Sequence, residues 1–146
     1  MFYRFILASA LVITSLISYV ENAQAQVQFS NITSGNLEAN SDLKRLESTI
    51  PGKIKVSVSP GNSAQLTVLP PTFTSGASTD PNGTVKVGTA VIASTNLNSN
   101  IPDSSTTNLP VGDTDVQVGV QVQRPVAFAS GTYQYSVNLI VTVTPP

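Results

Sequence analysis

"DVQVGVQVQR" (Asp115–Arg124) puts Val116, Val118, Val120 and Val122 at alternate positions, with Gln117, Gly119, Gln121 and Gln123 between them. A period of two marks a strand with one face in a core and the other in water. Wound as a helix, the same four valines would be spread around the axis instead of gathered on one face. The stretch therefore reads as strand, and as a half-buried one.

The same alternation recurs on both sides of it. "KIKVSVS" (Lys53–Ser59) sets Ile54, Val56 and Val58 on one face, and "AQLTVL" (Ala64–Leu69) sets Ala64, Leu66 and Val68. "TVKVGTAVIAS" (Thr84–Ser94) carries Val85, Val87 and Val91 on one side. The longest run, Tyr133 to Val143, is apolar at every odd position, with Ile140 the one apolar residue on the other face. Near the start, "QVQFSNI" (Gln26–Ile32) offers Val27 and Phe29.

Strands with a single apolar face belong to antiparallel sheets, and two such sheets must stack to bury those faces. The expectation is an all-β protein, an antiparallel immunoglobulin-like β-sandwich. Its connections are the breaker-rich segments "SPGNS", "LPPTFTSGASTDPNG", "NLNSNIPDSSTTNLPVGD" and "RPVAFASG". "SDLKRLEST" (Ser41–Thr49) does not alternate in this way. It reads equally as a short helix capped by Ser41 or Asp42 and as a polar loop with two leucines turned inward.

The first 25 residues are set apart. Arg4 precedes the apolar run Phe5–Val20, 16 residues long, and Ala23-Gln24-Ala25 offers small residues where a signal peptidase reads. A membrane span wants about 20 apolar residues. Residues 1–25 are thus expected to be a cleaved signal peptide, and residues 26–146 one β-sandwich domain with no membrane span. Secretion, to the periplasm or the cell surface, follows.

Composition excludes several functions. The formal net charge is −1 and stays so once Arg4 and Glu21 are removed, too little positive charge to hold a nucleic acid. Cysteine, histidine and tryptophan are absent. The fold must hold without disulfides, and the commonest general base and metal ligand are missing. Lys53, Lys55 and Lys86 read as solvated strand lysines. Asp113 and Asp115 could offer oxygens to calcium, but "GDTD" at a strand entry is better read as Asx-turn chemistry. "DPNG" (Asp80–Gly83) is a turn. Asn31-Ile32-Thr33 and Asn82-Gly83-Thr84 are glycosylation triplets only in a host that uses them. No catalytic, cofactor-binding or metal residue is assigned, and an enzyme is not expected.

Gly131 and Tyr133 make a structural motif. Gly131 allows a tight entry to the last strand, and Tyr133 can bury its ring while its hydroxyl finds a backbone partner, as a tyrosine corner does. "SGTYQYSVNLIVTVTP" resembles the C-terminal signature of the spore coat protein U domain, the group that includes subunits of archaic chaperone–usher pili. "KIKVSVSPGNSAQLTVLPPTF" resembles that family's early hairpin, although its members usually carry a disulfide and this chain has no cysteine. The resemblance implies a structural subunit of a bacterial envelope that joins copies of itself or other subunits by strand addition. Val27 and Phe29 would then lie on a donor strand. The contrasting expectation is a monomeric secreted module that binds a carbohydrate or small ligand with its loops.

Overall fold

The computed structural model describes residues 8–18 and 27–144. The expected cleavage step at Ala23–Gln26 lies outside them. The described residues form twelve strands: β1 (Ala8–Ser18), β2 (Val27–Thr33), β3 (Gly35–Ala39), β4 (Arg45–Ile50), β5 (Gly52–Val58), β6 (Ser63–Val68), β7 (Thr72–Gly76), β8 (Val85–Ile92), β9 (Thr95–Asn98), β10 (Thr106–Leu109), β11 (Gly112–Gln123) and β12 (Thr132–Thr144). A 3₁₀ turn, Pro102–Ser104, lies in the connection between β9 and β10.

The protein is an antiparallel β-sandwich. In one layer β12 pairs along one edge with β7 and then β6, and β6 pairs onward with β10. In the other layer β11 has β8 along one edge, and β5 and then β4 along the other. β9 extends that layer beyond β8, β2 lies outside β5, and β3 lies outside β4. β1 departs from the antiparallel rule: it runs parallel to β12 and touches β3 on its other side, linking the two layers.

The alternating faces meet between the layers. Ile54, Val56 and Val58 pack with Ala64, Leu66 and Val68, with Val116, Val118, Val120 and Val122, and with the odd-numbered residues from Tyr133 to Val143. Burying a valine or leucine fully is worth about 1.5–3 kcal/mol, so these faces dominate the stability of a chain without disulfides.

β8 turns the opposite face inward from the one its valines suggest. Gly88, Ala90 and Ile92 are buried, whereas Val85 is exposed and Val87 and Val91 only half-buried. The reason is space. A Cβ on Gly88 would stand 2.5 Å from the Leu69 carbonyl oxygen and 3.3–3.4 Å from Val68 and Val137, so the layers come too close there for a valine.

Residues 41–49 are neither helix nor loop throughout. Arg45–Ile50 is β4, held between β3 and β11, and Leu46 is wholly buried. Leu43, at φ +58°, makes the preceding turn, and its carbonyl accepts the Phe128 N–H at 2.7 Å. The strand is specified by its pairing with β3 and with the distant β11 rather than by its own period. β7, β9 and β10 likewise lie inside segments that read as connections. They are four or five residues long, and Ser, Thr and Asn fill most of their positions.

Candidate functional site: a strand slot beside a buried ionic cluster

Arg124 follows the last residue of β11 on the same parity as its four valines, which carries it into the core, where it is 2 % exposed. An unpaired buried guanidinium would be costly, so the surrounding groups matter. Its Nε and Nη2 donate to Asp80 Oδ1 at 3.0 and 2.8 Å, Nη1 donates to Ser78 Oγ at 2.9 Å, and Nη2 also donates to the Ser78 carbonyl at 3.1 Å. Its plane lies over the Phe128 ring at 4.0 Å and near that of Tyr133 at 5.0 Å, a cation–π arrangement. The Tyr135 hydroxyl donates to Asp80 Oδ1 at 2.7 Å. The other carboxylate oxygen, Oδ2, accepts no well-aligned hydrogen bond, but Lys86 Nζ lies 3.3 Å away and offsets its charge.

Electrostatics follow from this packing. Burial pushes the Tyr135 hydroxyl well above its ordinary range, and the hydrogen bond to Asp80 adds to the effect, so the phenol stays protonated. Burial alone would lower the Arg124 pKa. The bonds to Asp80 and Tyr135 outweigh it, and the net direction is upward.

Tyr133 extends the network to the last turn. Its ring is fully buried, its hydroxyl donates to the Ala129 carbonyl at 3.0 Å, and Ser78 Oγ lies 2.9 Å away. Gly131 has φ +145°, and a Cβ there would stand 2.6 Å from the Ala77 Cβ. The cluster thus ties the β7–β8 loop, the end of β11 and the start of β12 together. It is a fastening, in which Arg124, Asp80, Ser78, Tyr133 and Tyr135 are hydrogen-bonded to one another across the layers.

The second feature is a slot. β12 has β7 and β6 on one edge, and its other edge is paired over eleven residues, Thr132 to Thr142, by β1 alone. Across the slot, Gly35, Asn36 and Leu37 of β3 pair with Leu11, Ala10 and Ser9. With β1 in place, Tyr133, Tyr135, Val137, Leu139 and Val141 are all wholly buried.

Val27 and Phe29 lie on β2, paired with their own chain's β5 opposite Val58 and Val56. Val27 is buried and Phe29 packs against the same core. β2 is irregular between Ser30 and Thr33, where Asn31 takes φ +52°. Beside this irregularity is an open concavity of about 330 Å³, with Asn31, Thr33, Lys53, Lys55, Asp115 and Gln117 around Ile54 and Val116.

Other polar residues lie as follows. Asp113 and Asp115 are within β11, not in a turn before it. Asp113 Oδ1 accepts from Ser57 at 2.6 Å, with Lys55 Nζ 3.9 Å from Oδ2. Lys53 and Lys55 are on the outer side of β5, whereas Lys86 shares the inward parity of β8 and reaches Asp80. The turn expected over Asp80–Gly83 lies one residue later, Pro81–Thr84, with the Thr84 N–H and hydroxyl both donating to the Pro81 carbonyl.

Sequence reasoning missed Arg124 and Asp80 as a pair. The signal available was parity: position 124 continues the 116-118-120-122 series, so a charged residue there must find a buried partner. Among the described residues no helix is long and apolar enough to cross a membrane. The chain matches no known protein-family model and no curated protein.

Proposed function

We propose that the protein is a secreted, non-enzymatic structural component of a bacterial envelope, a pilin-like subunit that joins its neighbours by strand addition. The observation carrying this reading is the slot. The long edge of β12 is completed by a segment that the sequence marks as a leader. Removal of residues 1–25 would leave eleven residues of β12 main chain without a partner on that side, and such an edge recruits another strand. Export supplies the context, and the lack of histidine and cysteine weighs against hydrolytic or redox chemistry. The test is sedimentation and electron microscopy of the exported protein, with N-terminal sequencing. Chains beginning at Gln26 and forming linear polymers are expected. Monodisperse monomers at every concentration would reject the subunit role.

The concavity beside the β2 irregularity favours a second reading, a monomeric binding module. Amide, hydroxyl and charged groups gathered around one concavity suit a saccharide. Calorimetric titration with oligosaccharides would reveal it, and Lys53→Ala with Gln117→Ala should abolish any binding found.

A further inference from the structure

We propose that Ala8–Ser18 acts as a built-in slot strand, closing the β12–β3 gap in its own chain until the leader is removed. This rests on the subunit reading above and adds a regulator to it: the unprocessed chain is capped, and processing exposes the joining edge.

Three observations carry the inference. The pairing is continuous and in register, from Ala8 opposite Thr132 to Ser18 opposite Thr142, with no irregularity along eleven residues. β1 engages both walls of the slot, since Ser9, Ala10 and Leu11 also pair with β3. A segment lying only on the surface would meet one wall. Its sequence, "ASALVITSLIS", includes the β-branched residues Val12, Ile13, Thr14 and Ile17, which suit a strand better than a helix.

Chain connectivity makes the closure reversible by one cut. Eight residues, 19–26, separate the end of β1 from the start of β2, and they contain Ala23-Gln24-Ala25. Hydrolysis of the Ala25–Gln26 peptide bond consumes one water and leaves a carboxylate on the leader and an amine on Gln26. β2 stays on β5, while β1 is no longer tethered and can leave. Before the cut the slot strand is present at the high effective concentration of a short tether. After it, strands from other molecules compete on equal terms.

The absence of cysteine provides a clean probe. Full-length chain and residues 26–146 would be purified in denaturant and refolded side by side. Thr14→Cys with Asn138→Cys places thiols on residues paired in the structure, and Thr14→Cys with Gln134→Cys places them four positions out of register. The first pair is expected to cross-link within the full-length monomer and the second is not. The full-length chain should stay monomeric and melt higher than residues 26–146, by about 10 °C or more for a strand completing a core of this size. A peptide of residues 8–18 with a lysine tail, added to residues 26–146, should restore much of that difference. Equal melting of the two chains with no response to the peptide would overturn the proposal, as would equal cross-linking of both cysteine pairs. If the peptide restores stability but residues 26–146 never self-associate, the capping strand stands and the subunit reading falls. If both chains polymerise alike, the subunit reading stands and the cap falls.

Discussion

Arg124 and Tyr135 donate to the same carboxylate oxygen, Asp80 Oδ1, at 2.8 and 2.7 Å, and so join β11 to β12 through a residue of the β7–β8 loop. In a sandwich without disulfides, this three-way contact fastens two strands of opposite layers at one end. The arginine also fills the space between Phe128 and Tyr133.

Removing one partner should therefore cost more than a surface ion pair would. Asp80→Ala leaves Arg124 buried without its main acceptor and should destabilise the fold by about 3–5 kcal/mol. Arg124→Met keeps most of the volume but leaves Asp80 with only Lys86 and Tyr135, and should cost less. Urea unfolding of the three proteins tests the order. Equal stability of Asp80→Ala and the parent would show that the cluster does not fasten the layers.

Tyr135 gives the fold an alkaline limit. Its folded pKa lies above the unfolded value of about 10, so its contribution is complete below that pH. Above pH 10 the unfolded chain releases the proton while the folded chain retains it, and stability falls by roughly 1.4 kcal/mol per pH unit for that group. Tyr135→Phe should flatten the decline between pH 10 and 11 while lowering stability at pH 7. Melting curves across that range supply the comparison, and an unchanged slope would contradict the assignment.

The strand periods in the sequence identify the core faces of β5, β6, β11 and β12, because in these strands every second residue is buried and, Gly52 and Thr114 apart, apolar. β8 is legible as a strand but not as to its face. Its three valines point away from the deepest core because the opposing backbone at Leu69 admits only a glycine at position 88. β4 was hidden for another reason: one buried residue, Leu46, fixes it, and one residue makes no period. The central pair of the ionic cluster, Arg124 and Asp80, is 44 positions apart in the chain, so only the parity of Arg124 left a trace. The slot depends on which strand lies beside β12, a question of topology that local pattern does not address.

Gly88 sets the spacing of the layers. Gly88→Val would drive a side chain into the Leu69 carbonyl and the Val68 and Val137 methyl groups. Overpacking of that kind costs about 1–3 kcal/mol, and more where backbone is the obstacle. Thr89→Val, on the half-buried outer face of the same strand, should change stability little. If the two variants melt together, the face assigned to β8 is wrong.

The last prediction concerns β2. It lies on β5 in its own chain, with Val27 only 2 % exposed and Phe29 packed against the core. Deleting Gln26–Asn31 from residues 26–146 removes an edge strand and those two side chains together. Loss of large core side chains costs roughly 3 kcal/mol or more, a substantial part of a domain's usual ~5–15 kcal/mol. The deletion is thus expected to lower the melting temperature even in dilute, monomeric protein. If Val27 and Phe29 served instead as a donor strand for the next molecule, the same deletion would leave the dilute monomer's melt unchanged and abolish association. A melting curve below the association threshold, paired with size-exclusion chromatography above it, separates the two. An unchanged melt with lost association would transfer β2 from its own sheet to its neighbour's.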